Sequence, residues 1–278
     1  MHIATTLDAL QEALAPTHAA GARVALVPTM GALHSGHMAL VRHAKTLADT
    51  VVVSIFVNPT QFGPNEDFAR YPRTEEADSA LLQTEGVDVL WLPDVETMYP
   101  AGCSTKLHVA GVSEGLCGKF RPGHFDGVAT VVHKLLMQVM PNLAVFGEKD
   151  YQQLCVIKRM VEDLLLPVDI IGLPTVREAD GLALSSRNRY LSSVERAIAP
   201  MLHAQLTLAA TALAAGAPVH EVLRKAREYL LMNGFSKCDY LEFCAADTLT
   251  PLLEYQAGAR LLAAVHLGGT RLIDNIEV

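Results

Sequence analysis

Short apolar runs alternate along the first 175 residues with longer segments in which apolar positions recur every three or four residues. Apolar runs of this kind are typical of strands buried on both faces of a parallel sheet. The predicted strands are 24–27, 51–57, 87–92, 143–146 and 168–173, and the predicted helices are 36–48, 75–85, 126–140 and 150–163. This order predicts a Rossmann-like α/β fold, a doubly wound parallel sheet covered by helices, in a domain of residues 1–175.

The pattern changes after about residue 175. Two helical stretches, 193–214 and 218–232, come before strand-like segments at 239–245, 260–267 and 271–277. Helices followed by a run of strands favour a separate α+β unit over a continuation of the parallel sheet. We therefore expect residues 176–278 to form a smaller C-terminal α+β domain that acts as a lid.

The overall composition disfavours several classes of protein. The chain has 278 residues, half of them apolar, and a formal net charge of -8. Such an acidic chain is a poor general binder of nucleic acid, because clustered Lys and Arg hold the phosphate backbone. The five cysteines form no Cys-x-x-Cys pair, and we see neither a signal peptide nor a membrane span. We expect a cytoplasmic protein with reduced thiols and with no nucleic-acid or membrane partner.

A glycine turn with two histidines follows the first predicted strand. Residues 28–37 read Pro-Thr-Met-Gly-Ala-Leu-His-Ser-Gly-His, and the next predicted helix begins at Gly36. Backbone N–H groups and the helix dipole favour a bound phosphate at such a position. Imidazoles at His34 and His37 could donate N–H groups to the same phosphate chain. The pair alone is equally typical of a helix cap, a core contact or a metal site, although no further ligands follow at a zinc-like spacing.

Polar clusters also follow other predicted strands. Gln61 comes after the second strand, and Gly147-Glu148-Lys149-Asp150 follows the fourth. Ligands of open parallel sheets bind beyond the carboxyl ends of the strands, so we expect these clusters to share one edge. Lys149 could bind phosphate, the two acids could orient it or bind ribose, and Gln153 could bind a polar substrate. For the 147–150 segment, a solvated surface turn is the alternative.

Two further segments carry candidate polar groups. Ser185-Ser186-Arg187-Asn188 follows an Asp-Gly turn and could present hydroxyls and a guanidinium to a triphosphate, or could simply cap a helix. Residues 121–126, Arg-Pro-Gly-His-Phe-Asp, lie in a long segment, 93–125, that has little periodicity. Loops of that length inside compact domains are often functional.

Six motifs taken together resemble the pantothenate synthetase (pantoate–β-alanine ligase) family. They are residues 28–37, 56–63, 71–74, 121–125, 147–153 and 184–188, and they span nearly the whole chain. The segment His34-Ser35-Gly36-His37 is similar to the His-x-Gly-His signature of Rossmann-like nucleotidylyltransferases. The resemblance implies a homodimeric ligase that condenses pantoate with β-alanine through a pantoyl adenylate. ATP would be a substrate, Mg²⁺ would be bound mainly through the ATP phosphates, and AMP and pyrophosphate would be released.

The same resemblance implies roles for individual residues. His37, His34, Lys149 and Arg187 are implied to be catalytic, and no protein ligand of a metal is implied. The implied ATP-binding residues are Met30, Gly31, Ala32, Leu33, His34, Ser35, Gly36, His37, Gly147, Glu148, Lys149, Asp150, Val176, Leu184, Ser185, Ser186 and Arg187. Gln61 is implied to bind pantoate and β-alanine, and Gln153 to bind pantoate. Leu184 stands where the family pattern has methionine, so side-chain packing on adenine is the one feature that differs.

Other functions are compatible with the histidine turn. A nucleotidyltransferase that moves AMP or CMP onto a phosphorylated acceptor could use it, but needs an additional basic pocket for that acceptor. A nucleotide-binding protein without catalysis is the non-enzymatic alternative, and a fragment of a tRNA-charging enzyme is disfavoured by the acidic charge. The products formed from ATP distinguish these functions.

Overall fold

The computed structural model describes residues 1–64 and 66–278. Contacts divide the chain into two compact units. The first contains residues 1–109, 121–148 and 156–174, and the second contains 110–120, 149–155 and 175–278. The last crossing, after Pro174, lies next to the predicted boundary at 175/176. The second unit also contains two earlier segments, 110–120 and 149–155. Local periodicity does not reveal this, because contacts between residues distant in sequence determine which unit a segment belongs to.

A parallel sheet of six strands in the order β1-β4-β3-β2-β5-β6 forms the centre of the first unit. The strands are β1 (His2–Ala4), β2 (Val24–Thr29), β3 (Thr50–Ile55), β4 (Val89–Trp91), β5 (Leu143–Gly147) and β6 (Asp169–Leu173). All five predicted strands are present, each with ends within two residues of the prediction. The predicted doubly wound α/β fold is confirmed.

Among the described residues, seven α-helices precede β6 in the chain order. They are α1 (Leu7–Ala19), α2 (Ser35–Lys45), α3 (Glu75–Thr84), α4 (Val95–Met98), α5 (Leu116–Phe120), α6 (His124–Val139) and α7 (Tyr151–Asp163). The four predicted helices correspond to α2, α3, α6 and α7. The sequence patterns did not predict β1 and α1, because β1 has only three residues and Pro16 interrupts the helical pattern of α1.

The core beside the central strands explains why their sequence is uniformly apolar. Val27 of β2, Val53 of β3 and Val145 of β5 are fully buried, and Val41 and Ala44 of α2 belong to the same cluster. Each fully buried valine contributes about 1.5–3 kcal/mol relative to an exposed one. This packing fixes the strand ends from which the site loops emerge.

The second unit combines helices with a three-stranded antiparallel sheet in the order β7-β8-β9, which confirms its predicted α+β class. Its remaining elements are α8 (Ser193–Ile198), α9 (Met201–Ala214), α10 (Val219–Met232), β7 (Lys237–Cys244), β8 (Arg260–Leu267) and β9 (Thr270–Glu277). Leu206 of α9, Leu230 of α10 and Phe243 of β7 lie in one hydrophobic cluster. The lid role expected of this domain stays a prediction.

One predicted helix, 193–214, is wrong about a third of the way along its length. The chain forms two helices there, α8 and α9, with Pro200 between them. Proline has no N–H to continue the helical hydrogen bonds, so the first helix ends before it. The whole segment Ser193–Ala214 is long and apolar enough to cross a membrane by length and composition alone. Leu202, Leu206 and Leu213 within it are core residues of the second unit.

Candidate active site

The sheet changes its direction of winding between β2 and β5, which are neighbours. The histidine turn follows β2, Gln61 follows β3, and Gly147 ends β5. Since these three strands are adjacent and parallel, their carboxyl ends lie at one edge of the sheet. The predicted shared edge is thus confirmed for the clusters of the first unit. It coincides with the topological switch point, where open α/β sheets bind ligands.

His34 and His37 form the start of α2 with their own side chains. Nδ1 of His34 accepts from the Gly36 N–H at 3.2 Å, and Nδ1 of His37 accepts from the His34 N–H at 3.3 Å. The two ring centroids lie 4.1 Å apart. A neutral ring whose Nδ1 accepts carries its proton on Nε2. The histidines can therefore both cap the helix and bind phosphate. Nδ1 accepts a hydrogen bond at the helix start, and Nε2–H is the group that could donate to phosphate.

Backbone amides just before the histidines are engaged within the protein. The N–H of Gly31 donates to Thr29 Oγ1 at 3.2 Å. The N–H groups of Ala32 and Leu33 each donate at 2.8 Å to a different carboxylate oxygen of Asp78. Gly31 has a φ of 82°, a conformation that favours glycine. The amides of residues 31–33 are therefore already used within the protein, and the imidazoles remain the predicted donors to phosphate.

Asp78 holds the turn before the histidines, and the sequence patterns did not reveal this contact. It lies in α3, is 3% exposed, and also accepts from Thr74 Oγ1 at 3.1 Å. In the sequence it is one of three acidic residues in the first turn of that helix. Acids are common there because of the helix dipole, so the pattern alone does not single out the one that reaches the turn.

We expect Asp78→Asn to lower the free energy of unfolding by about 1–3 kcal/mol, because an amide nitrogen would then face a buried N–H. The KM for ATP should also rise, since the turn leads directly into His34. Urea unfolding and ATP titration measure the two effects. Glu76→Gln, at an exposed position of the same first turn, is the matched control. Equal unfolding free energies for Asp78→Asn and the unaltered chain would contradict this role.

Gln61 ends a one-turn 3-10 helix, Pro59–Gln61, and is 8% exposed. Its Nε2 donates to Met30 Sδ at 2.9 Å, and its Oε1 accepts from Asn58 Nδ2 at 3.1 Å. The contact with Met30 joins the predicted pantoate residue to the predicted ATP segment. Thioether sulfur is a weak acceptor, so a substrate oxygen in its place would form a stronger hydrogen bond.

Asn58 holds this short helix and was not among the predicted site residues. Its Oδ1 accepts from the Thr60 N–H at 3.2 Å, from Thr60 Oγ1 at 2.9 Å and from Tyr99 Oη at 2.8 Å. Burial raises the pKa of Tyr99, so its phenol stays protonated as a donor. The amide of Asn58 is buried and fully used in this way, which identifies it as a support for Gln61.

Lys149 and Asp150 belong to the second unit. The Lys149 ammonium lies 3.7 Å from a carboxylate oxygen of Asp150, and the lysine side chain is 20% exposed. Asn275 of β9 donates to the carbonyl of Lys149 at 3.1 Å, which anchors its backbone. Asp150, one of the two acids that could orient the lysine, is thus within ion-pair distance of it.

Two adjacent glutamines of α7 have different environments. Gln152 is buried; its Oε1 accepts from the Cys117 N–H, and its Nε2 donates to the carbonyls of Val112 and Gly115, all at 2.9 Å. Gln152 therefore fixes the loop before α5. Gln153 is half-buried, and it remains the candidate of the two for substrate.

Val176 and Leu184 pair across a short antiparallel turn. The Leu184 N–H donates to the carbonyl of Val176 at 3.0 Å. Within the turn, Arg177 donates from both terminal nitrogens to Asp274 of β9, at 2.7 and 2.9 Å. The side chain of Arg177 is 19% exposed and that of Asp274 is 2% exposed. This bidentate pair anchors the turn that carries Val176 and Leu184.

Ser185 caps the 3-10 helix Ser186–Tyr190, with its Oγ accepting from the Arg187 N–H at 3.3 Å. The helix-cap interpretation is therefore confirmed for this serine. Ser186 is buried and Arg187 is half-buried. The cap fixes the backbone from which the Arg187 side chain starts.

The predicted site residues fall into two sets, one in each unit. Residues 30–37, Gln61, Gly147 and Glu148 lie in the first unit, and Lys149, Asp150, Gln153, Val176 and residues 184–187 lie in the second. Across residues 1–64 and 66–278, no group of three or more His, Cys, Asp or Glu side chains could hold a metal ion. All five cysteines are described, and none forms a disulfide.

Sequence comparison finds close relatives over the full length. The profile of the family described as pantoate-beta-alanine ligase matches residues 2–277. The pantothenate synthetase of Sphingopyxis alaskensis is 56% identical over 278 residues and covers all of both chains. The pantothenate synthetase of Paramagnetospirillum magneticum is 55% identical and covers all of this chain and 98% of the relative.

Solved structures agree with the sequence comparison. The pantothenate synthetase of Thermus thermophilus superposes with a TM-score of 0.94 at 49% identity, over 100% of this chain and 99% of that one. The Francisella tularensis ligase, complexed with beta-gamma ATP and beta-alanine, gives 0.84 at 36% identity, over 100% and 97%. The resemblance inferred from the six motifs is confirmed: the chain belongs to the pantoate–β-alanine ligase family of enzymes.

Proposed function

We propose that this chain condenses pantoate with β-alanine in two steps, with ATP as the activating substrate. A pantoate carboxylate oxygen attacks the α-phosphorus of ATP, the bond to the β-phosphate breaks, and pyrophosphate leaves. The β-alanine amine then attacks the carbonyl carbon of the pantoyl adenylate and loses a proton, and AMP leaves with the electrons of the broken C–O bond. The family match over residues 2–277 is the observation that carries this proposal.

The first step brings a carboxylate onto a phosphate of the same charge, so catalysis depends on offsetting that repulsion and on positioning. Nε2–H groups of His34 and His37 donate to the ATP phosphates, and Lys149 and Arg187 add positive charge. Pyrophosphate is an adequate leaving group. His37 therefore acts mainly by stabilising charge through a hydrogen bond, and no covalent nucleophile is required.

The remaining predicted ATP residues complete the nucleotide site. They are Met30 to Leu33, Ser35, Gly36, Gly147, Glu148, Asp150, Val176 and Leu184 to Ser186. Gly36 and Gly147 have no side chain and therefore suit close backbone approach to the nucleotide. Burial of the mixed anhydride away from water prevents its hydrolysis before β-alanine attacks.

Gln61 and Gln153 supply neutral amides for pantoate, and Gln61 also contacts β-alanine. An amide donates to a carboxylate and accepts from a hydroxyl, so it suits a hydroxy acid such as pantoate. The 2.9 Å contact between Gln61 and Met30 supports this role.

We expect Gln61→Ala to raise the KM for pantoate about tenfold, the size of one lost hydrogen bond to a charged group. The KM for ATP should stay within about twofold, because the substitution leaves the imidazole donors in place. Steady-state kinetics with each substrate varied in turn measures both constants. Gln83→Ala, at an exposed position of α3, is the control. A pantoate KM that does not change in Gln61→Ala would argue against this assignment.

Three further features of the proposal rest on the family resemblance. ATP enters as its Mg²⁺ complex, with the metal held mainly by the phosphates. The enzyme is a homodimer, and it works in the cytoplasm.

Product analysis tests the proposed function. AMP and pyrophosphate should form together only when pantoate and β-alanine are both present with ATP, and pantothenate should appear in equal amount. Pyrophosphate released with a phosphorylated acceptor instead of pantoate would indicate a nucleotidyltransferase. ATP binding without turnover would indicate a nucleotide sensor.

A further inference from the structure

A chain of hydrogen bonds links three residues of the first unit to the backbone of Gln61. Glu66 accepts two hydrogen bonds from Arg121, from Nε and Nη2, each at 2.6 Å. Nη1 of Arg121 lies 2.8 Å from His124 Nε2, and His124 Nδ1 lies 2.8 Å from the Gln61 carbonyl oxygen. Each link is at a normal or short hydrogen-bond distance, so the four residues form one continuous network.

The donors in this network determine where the protons lie. A guanidinium can only donate, so His124 Nε2 accepts and the ring is neutral with its proton on Nδ1. That Nδ1–H donates to the carbonyl of Gln61. Burial disfavours the charged form of Glu66, but the hydrogen bond and charge of Arg121 outweigh it and lower the pKa of the carboxyl. Glu66 is therefore ionised at neutral pH and holds the guanidinium of Arg121 in place.

The network acts on a tightly packed contact. His124 is 9% exposed and is the first residue of α6. Gly127, in the same turn, lies so close to the short helix that a Cβ there would be 2.5 Å from the Thr60 carbonyl oxygen. Asn58 Nδ2 spans the two elements, with bonds to Gln61 Oε1 and to the Gly127 carbonyl, each at 3.1 Å. The backbone and the side chain of Gln61 are thus fixed from the same helix.

We infer that His124, oriented by Arg121 and Glu66, is a positioning residue that holds Gln61 in the conformation that binds pantoate. The inference rests on the proposed role of Gln61 in pantoate binding. His124 acts through the backbone of Gln61. Its loss should therefore affect the pantoate site and leave the ATP site largely intact.

Two substitutions of His124 separate its two hydrogen bonds. Asparagine places an amide nitrogen near the position of Nδ1, so His124→Asn keeps a donor for the Gln61 carbonyl. Glutamine reaches the position of Nε2, so His124→Gln keeps an acceptor for Arg121 and loses the donor to Gln61. His133→Gln is the matched control. His133 lies on the same helix as His124, and it lines a cavity whose lining includes neither His124 nor Gln61.

We expect His124→Gln to raise the KM for pantoate about tenfold, with kcat at saturating pantoate and the KM for ATP within about threefold. His124→Asn should recover most of the pantoate KM, and His133→Gln should change neither constant. A general loss of structure would instead lower kcat or raise both KM values, and asparagine would not rescue it. An unchanged pantoate KM in His124→Gln, or equal changes in both KM values, would overturn the inference.

The double variant Gln61→Ala/His124→Gln tests whether His124 works through Gln61. Its pantoate KM should be no higher than that of Gln61→Ala alone, and additive effects would overturn the inference. If Gln61→Ala leaves the pantoate KM unchanged, the proposed function of Gln61 is wrong. If Gln61→Ala raises the pantoate KM but His124→Gln leaves it unchanged, only the positioning role of His124 is wrong. If His124→Gln does not fold, Arg121→Lys is the alternative test. A single ammonium group cannot reproduce the hydrogen bonds of the guanidinium to both Glu66 and His124. A raised pantoate KM in that variant supports the inference, and an unchanged one overturns it.

Discussion

Replacing His37 by asparagine will lower kcat for pantothenate formation by about 100-fold or more, which corresponds to about 2.7 kcal/mol of transition-state stabilisation. The reason is that the two nitrogens of the imidazole have different roles. Nδ1 accepts from the His34 N–H in the helix cap, and Nε2–H is the proposed donor to phosphate. Asparagine can retain an acceptor near Nδ1 but offers nothing in the place of Nε2.

This variant therefore separates catalysis from helix capping. His37→Asn should unfold at nearly the same urea concentration as the unaltered chain, whereas His37→Ala also loses the cap and should be less stable by about 1 kcal/mol. His43→Asn on the same helix is the control and should retain full turnover. Near-normal kcat in folded His37→Asn would refute the proposed role of the imidazole.

Replacing Lys149 by methionine will also lower kcat by about 100-fold or more, because a point charge near the phosphates would be lost. Methionine keeps a side chain of similar length, so the change removes the charge with little loss of packing. The Lys149 backbone is anchored by Asn275, and this bond does not involve the ammonium group. The variant should therefore fold normally, and single-turnover kinetics should show the loss in the adenylation step.

Lys158→Met is the matched control, because Lys158 is an exposed lysine of α7. Its turnover should equal that of the unaltered chain. If Lys149→Met shows the same adenylation rate as this control, Lys149 has no part in charge stabilisation and the Lys149–Asp150 pair is only a surface contact.

Much of the fold could be predicted from local pattern. The run 24–27 is apolar throughout because the strand is buried on both faces, and the other central strands carry the same signal. The strand at His2–Ala4 is too short to show a period, and the break at Pro200 lies inside an otherwise helical pattern. Assignment of residues 110–120 and 149–155 to the second unit depends on contacts that are distant in sequence.

The candidate site was predictable where the chemistry is carried by spacing. His34 and His37 are three residues apart at a helix start, and both the cap and the tautomer follow from that geometry. Asp78 was missed because an acid near a helix start is common and its partners lie 45 and 46 residues away. Likewise, the adjacent Gln152 and Gln153 could not be assigned different roles until their surroundings were known.

The most direct measurement of the central claim is the exchange of labelled pyrophosphate into ATP, because it isolates activation of the acid from amide formation. Exchange should require pantoate and should proceed without β-alanine, and it should fall in His37→Asn and Lys149→Met along with kcat. Exchange that occurs without pantoate, or that appears only when β-alanine is added, would contradict a pantoyl adenylate formed at this site.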